Sequence, residues 1–363
     1  MTNPKRNLIG FIGVCIASIW CTIYLLNNNE GEPANHRINN LQVEISMNEY
    51  LTEFSGLQEK PSAAIIYLGS DNRLEAMLMS LQYLFTNFND RFRYPVVIFH
   101  AGDLNKSVFF QKCLAKLNES KCELIEVVEA QGLREFPPSF NLSTIKDRPP
   151  PDAWRFPNYH QMCAFFFFKI YSEPWLISHN ISYYMRIDTD SLILSDIQYD
   201  IFKYMQRNDL SYAYRIRIGE DVCCSRYLIN FLSMYTKEAG IGISSPELEW
   251  VNHYSLEEQE TRDQRSSTAF HLLQYYSNLE VVNVRSFRDD PAVWKWELAV
   301  WNDTRYHVNG IFTQRWGDAL LRFYTIHLFP QLWKSIHYLC HLDYEHQGHY
   351  PATCNFTEKF LPD

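Results

Sequence analysis

A short apolar run beginning at Ala63, AAIIYLG, is followed by RLEAMLMSLQYLFTNF, whose apolar residues recur every three and four positions, and then by a second run, YPVVIFH. Strand, helix and strand in that order imply a crossover, which favours parallel pairing. SVFFQKCLAKL as helix and ELIEVVEA as strand continue the alternation. The pattern predicts an α/β chain with a doubly wound, mostly parallel sheet and ligands at the carboxyl ends of its strands. No GxGxxG or Walker sequence follows any strand, so a dinucleotide fold and a P-loop NTPase are unsupported. REFPPSF and KDRPPPDAWRFP break the alternation between Pro137 and Pro157, and no internal repeat is evident.

The next strand, SYYMRI, runs straight into Asp188-Thr189-Asp190. Carboxylates beside a buried strand cost several kcal/mol unless their desolvation is offset. A divalent cation held through oxygen offsets it, and Mg²⁺ or Mn²⁺ bound there can in turn hold a diphosphate. Sugar-nucleotide transferases of the GT-A type use such an arrangement. A bare DxD is expected about once by chance in a chain of this size, so the signal lies in its place at a strand's carboxyl edge. The competing reading is a solvated turn.

The net charge of -9 and a pI near 5.8 argue against a nucleic-acid partner, because no basic stripe is present to displace counterions. Leu8 to Leu26 is uncharged for 19 residues. As a helix it would be about 28 Å long, matching a bilayer's hydrocarbon core. Lys5 and Arg6 precede it, so the positive-inside rule places residues 1–7 in the cytosol and the remainder in a lumen. A cleavable signal peptide is the rival, but the segment exceeds the usual apolar length of about 7 to 15 residues and TIYLLNNN offers no small-residue cleavage site. Residues 27–58 read as a stem and 59–363 as the catalytic part.

Six Asn-x-Ser/Thr sequons, at Asn105, Asn118, Asn141, Asn180, Asn302 and Asn355, agree with a lumenal chain. About two or three would arise by chance. Beyond Cys15 and Cys21 in the apolar segment, seven cysteines remain, an odd number in an oxidising compartment. Cys113 with Cys122 is the first pairing to examine; no CxxC or Cys/His finger spacing suggests zinc.

NGIFTQRWGDALLRF, Asn309 to Phe323, resembles the GGFFYERWGDA stretch of the fungal α-1,2-mannosyltransferases of glycosyltransferase family 15, sharing RWGDA from Arg315 to Ala319. In the same order, YHQMCAFFFF is similar to that family's YRxMCRFxSGFF, YYMRIDTD to YYWRVEPD, and DIQYDIFKYM to DIDYDVFKYM. The similarity runs from about Ser62 to Cys354. It implies a type II Golgi membrane enzyme with a GT-A-like fold, a GDP-mannose donor, a glycan acceptor, Mn²⁺ or Mg²⁺, and retention of anomeric configuration.

Residue by residue, the resemblance implies Asp188 and Asp190 as metal ligands beside the donor, completed by His337 of SIHYLCH as the match to the family's IHHF. Glu297 of KWELAVW matches the family's NFEI and would be the nucleophile or the stabiliser of an oxocarbenium-like transition state. Asp318 would hydrogen-bond the acceptor mannose or take its proton, with Arg315, Trp316 and Tyr159 as further substrate contacts. Their bland counterparts are a packed histidine, a buried ion pair, a helix cap and a core tryptophan. Several positions depart from the family: Asp188 replaces its Glu, Ala164 replaces an Arg, the following Ser-Gly pair is replaced within Phe165 to Phe168, and Ser70 stands where an Arg would meet the nucleotide, with Arg73 about one turn on to compensate. These departures keep two alternatives open, a transferase using another nucleotide sugar such as a UDP-sugar and a catalytically silent glycan-binding relative.

Overall fold

Among the described residues seven strands form the central sheet, in the order β10-β6-β9-β4-β1-β2-β3. They are β1 Ala63–Leu68, β2 Val96–His100, β3 Ile125–Glu129, β4 Tyr183–Ile187, β6 Tyr212–Tyr214, β9 Leu279–Asn283 and β10 Ile336–Tyr338. The computed structural model describes residues 60–143, 155–220, 224–253, 272–306 and 308–353. The chain divides into Met1–Gln58 and Glu59–Asp363. The expected tail (1–7), anchor (8–26) and stem (27–58) lie outside the described residues. Among the described residues no helix is long and apolar enough to cross a membrane.

The strand-helix-strand reading of the first half holds. β1 pairs in parallel with β2 and β4, and β2 with β3. Leu74, Met77, Leu78, Leu81 and Leu84 form the buried stripe of α1 (Leu74–Leu84), the crossover between β1 and β2. Asn105 caps α2 (Lys106–Lys116) by accepting from Val108 N, and a Cys113–Cys122 disulfide joins that helix to the turn before β3. Cys340 is also disulfide-bonded, while Cys163 and Cys224 are buried thiols.

The second half of the sheet is mixed. β9 runs antiparallel to both β4 and β6, and β10 adds in parallel to β6. This reversal brings the residues before β9, Ser277 and Asn278, to the pole where β1, β2 and β4 end. A ribbon of two three-residue strands, β5 (Ser191–Ile193) and β11 (Tyr344–His346), covers the exit from β4. β7 (Arg217–Glu220) and β8 (Leu272–Tyr275) form a second ribbon. The main core contains α3 (Asn158–Phe167), α4 (Leu228–Ala239), α5 (Pro291–Trp301) and the wholly buried α6 (Asp318–Leu328).

Candidate active site at the carboxyl edge of the sheet

Asp188 and Asp190 leave β4 at this edge. Backbone pairing holds the turn: Asp188 N donates to Asn278 O at 3.0 Å and Ser191 N to Asp188 O at 3.0 Å. The ribbon brings further groups to Asp190, with His346 Nδ1 3.5 Å from Oδ1 and Gln347 Nε2 donating to Oδ2 at 2.9 Å. Ser191 Oγ lies 3.0 Å from the same imidazole nitrogen and 2.7 Å from Tyr344 Oη. Arg73, more than half exposed, puts Nη1 3.7 Å from Asp190 Oδ2. Burial pushes Asp188 above the ordinary carboxylate range against the pull of Arg186 and His346.

Arg186, two residues before Asp188, organises the buried side. Its Nε donates to Asp188 Oδ1 at 3.1 Å, its Nη1 pairs with Asp318 Oδ2, and its guanidinium lies 3.7 Å from the Phe166 ring centroid. Ser277 Oγ also donates to Asp318 Oδ2, at 2.6 Å. Burial alone would raise the Asp318 pKa, but Arg186 and these hydrogen bonds hold it below the usual range, so it stays ionised. Asp318 is the first residue of α6 behind an N-cap Gly317, so its side chain is spent on Arg186 rather than on capping.

Across the β4–β9 ladder Glu280 stands opposite Arg186. Its Oε2 accepts from Tyr212 Oη at 2.8 Å and lies 3.7 Å from Arg322 Nε, while Oε1, buried, has no hydrogen-bond partner among the described residues. Burial raises the Glu280 pKa against the attraction of Arg322 and Arg186. A cleft of about 590 Å³ opens beside this cluster, lined by Leu68 at the end of β1, by Gly69 and Ser70 after it, by Arg134, and by Met162 of α3. Met162 Sδ is 3.8 Å from Arg186 Nη2, so one wall of the cleft touches the charged cluster, whose carboxylates lie behind that wall and not in the lining itself.

Three of the residues expected at the site sit elsewhere. His337 is on β10, in register with Ala213, Val281 and Met185, three strands from β4. At about 4.8 Å per strand that is about 14 Å away; its ring packs on Tyr204 and burial pushes its pKa down to about 4. The histidine beside the turn is His346, 3.5 Å from Asp190. Glu297 is fully buried on α5, 3.6 Å from Arg322 Nη1, with its pKa driven well up by burial. It lies behind the cluster, in the core. Trp316 is 1% exposed, donates from Nε1 to Arg226 O at 2.8 Å, and packs so tightly that a Cβ at Gly310 would sit 2.1 Å from its ring. It cannot offer a face to a sugar there.

Tyr159 and Arg315 do meet, with Arg315 Nη2 3.5 Å from Tyr159 Oη and Nη1 3.6 Å from Glu220 Oε1. The Asp318 charge helps push the Tyr159 pKa up, behind Cys163 and burial. The sequence reading missed Arg186, Glu280 and His346. A signal for Glu280 is present: Asn278-Leu279-Glu280-Val281 keeps the Asn-x-Glu order of the family's NFEI stretch, which KWELAVW around Glu297 lacks. His346 lies nine residues beyond His337, and only the β5–β11 pairing distinguishes the two.

The donor chemistry suits a hard divalent cation. Asp188 and Asp190 offer oxygens and His346 an imidazole, a set that Mn²⁺ accepts. Among the described residues no three His, Cys, Asp or Glu side chains form a ready-made cage. Ions of this kind are ordinarily held by one or two carboxylates together with substrate phosphates, so the pair fits such a site.

The family described as glycolipid 2-alpha-mannosyltransferase matches residues 25–361. A glycolipid 2-alpha-mannosyltransferase of Saccharomyces cerevisiae is 24% identical over 309 residues, covering 82% of this chain and 64% of that protein, so the chain spans under two thirds of its length. O-glycoside alpha-1,2-mannosyltransferase homolog 4 of Schizosaccharomyces pombe is 22% identical over 321 residues, 80% of this chain and 70% of that one. In fold, the chain is similar to the mannosyltransferase Ktr4p of S. cerevisiae, with a TM-score of 0.68 at 20% identity over 82% of this chain and 73% of that one. It is likewise similar to core-mannan synthase A of Aspergillus fumigatus in its Mn/GDP form, with a TM-score of 0.66 at 20% identity over 90% and 84%.

Proposed function

The chain belongs to the glycolipid 2-alpha-mannosyltransferase family, and from that premise we propose that it is a metal-dependent, retaining transferase. It moves mannose from GDP-mannose to the 2-hydroxyl of an acceptor mannose on a glycoprotein or glycolipid glycan. The observation that carries the reading is the single guanidinium of Arg186, which ties a carboxylate of the DxD turn to Asp318 beside a cleft at the sheet's carboxyl edge. The GDP and Mn²⁺ carried by the related core-mannan synthase support the choice of donor and ion.

In this reading Asp188, Asp190 and His346 would hold Mn²⁺ or Mg²⁺, which when bound would supply positive charge to the leaving diphosphate. Arg73, next to Asp190, supplies a cation toward the phosphates; Arg134 lines the cleft for the nucleotide. Asp318, kept ionised, accepts the hydrogen bond of the acceptor hydroxyl and orients it for attack. Glu280 takes the role first assigned to Glu297, shielding or attacking the anomeric carbon from one face. Tyr159 and Arg315 border the acceptor side. Residues 8–26 would anchor the chain in the Golgi membrane with the catalytic part lumenal.

A screen of GDP-mannose against UDP-sugars, with and without Mn²⁺, tests the proposal on the full chain. Transfer from GDP-mannose that requires the ion is the expected result. Preferential use of a UDP-sugar would make the second reading, motivated by Ser70 and Ala164, the correct one. Absence of turnover with every donor would favour the silent glycan-binding relative.

A further inference from the structure

His346 and Gln347 reach the DxD turn only because the segment from Leu342 to Ala352 is folded across the end of β4. Its regular structure there is slight: three residues of β11 pair with three of β5, and Leu194 N donates to Asp343 O at 2.8 Å. Two strands of this length are marginal by themselves in water. Besides the segment's own hydrogen bonds and the disulfide at Cys340, a group outside the ribbon holds both of its ends.

Arg215, between β6 and β7, does so. It is fully buried and donates from Nε to Leu342 O at 2.7 Å and from Nη2 to Pro351 O at 3.0 Å and Ala352 O at 2.9 Å. One planar fork therefore grips the segment where it enters and where it leaves. Its Nη1 lies 3.5 Å from Tyr338 Oη, on the strand just before the segment. We propose that Arg215 is a positioning residue for the cation site, clamping residues 342–352 so that His346 is presented to Asp190. Arg215 itself touches neither carboxylate of the turn. A lysine has a point charge in place of the fork and cannot span the two ends.

The inference rests on His346 being a metal-side residue and is tested by two independent readouts on the full chain. The first is limited proteolysis without metal, mapped across residues 342–352; the second is the Mn²⁺ concentration giving half-maximal transfer. Arg215→Gln should speed cleavage in this segment and raise the Mn²⁺ requirement on the order of tenfold, with turnover at saturating Mn²⁺ changed only a few-fold. Arg215→Lys keeps the buried charge, guarding against simple failure to fold, and should shift both readouts in the same direction. Wild-type behaviour of the folded Lys variant in either readout would overturn the clamp. His346→Ala serves as the separate control: a Mn²⁺ requirement equal to wild type would sink the metal reading and this inference with it, whatever Arg215 does.

Discussion

Asp188 and Asp318, 130 positions apart in sequence, lie on two sides of one guanidinium, that of Arg186. One carboxylate belongs to the metal side of the proposed site and the other to its acceptor side. Removing the shared cation would leave two carboxylates without their counter-ion, one of them deeply buried. Breaking buried pairs of this kind costs about 3–5 kcal/mol. Arg186→Met should lose about that much in urea unfolding, and combining it with Asp318→Asn should recover part of the loss. A destabilisation of the single variant below about 1 kcal/mol would show that the cluster does not hold the fold together.

Asp190→Ala removes an oxygen donor at the exposed edge of the turn while leaving the backbone hydrogen bonds of Asp188 and Ser191 intact. Mn²⁺-dependent transfer should be abolished with little change in circular dichroism or melting temperature. Retained turnover would exclude this metal site.

Glu280 and Glu297 are both buried beside Arg322, but only Glu280 stands opposite Arg186. Glu280→Gln should lower turnover on the order of a hundredfold with little effect on donor binding, as expected for a group acting mainly in the transition state. Glu297→Gln, in the core behind Arg322, should change turnover only a few-fold. Steady-state kinetics of the two variants, measured side by side, decide the assignment; the reverse ranking would restore Glu297.

The same acids predict a pH dependence of stability. Glu297, Glu280 and Asp188 have folded-state pKa values raised by burial, so between the unfolded value and the raised one the native state holds more protons than the unfolded state. Their contribution therefore falls as pH rises through that window. Asp318 has the opposite sign: its lowered pKa contributes stability above the ordinary carboxylate value that disappears on acidification through the folded one. Denaturation curves for Glu297→Gln should show a flatter decline than wild type as pH rises above the ordinary carboxylate range. An unchanged slope would mean that Glu297 is ionised in the native chain.

Arg134 lines the cleft near Ser70, where a family arginine is missing. Arg134→Ala should raise the KM for the nucleotide sugar about tenfold with turnover largely retained, the pattern of lost uniform binding. A fall in turnover at constant KM would remove Arg134 from the donor side.

Local sequence determined a good deal. The alternation from Ala63 specified parallel pairing of β1, β2 and β3, because period-two and period-3.6 burial are written in neighbouring residues. The nine-residue separation of Cys113 and Cys122 pointed to their disulfide. The DxD turn was placed at a strand's carboxyl end by the apolar run before it, and the RWGDA stretch carried the family assignment. What the tertiary structure alone decided is which distant groups meet that edge. The antiparallel entry of β9 brings Glu280 opposite Arg186, and the β5–β11 pairing selects His346 over His337. A histidine or glutamate looks the same in sequence whether it ends in a core or at a site. Only strand order and register, fixed by long-range packing, determine which carboxylates share a cation and which are left to desolvation.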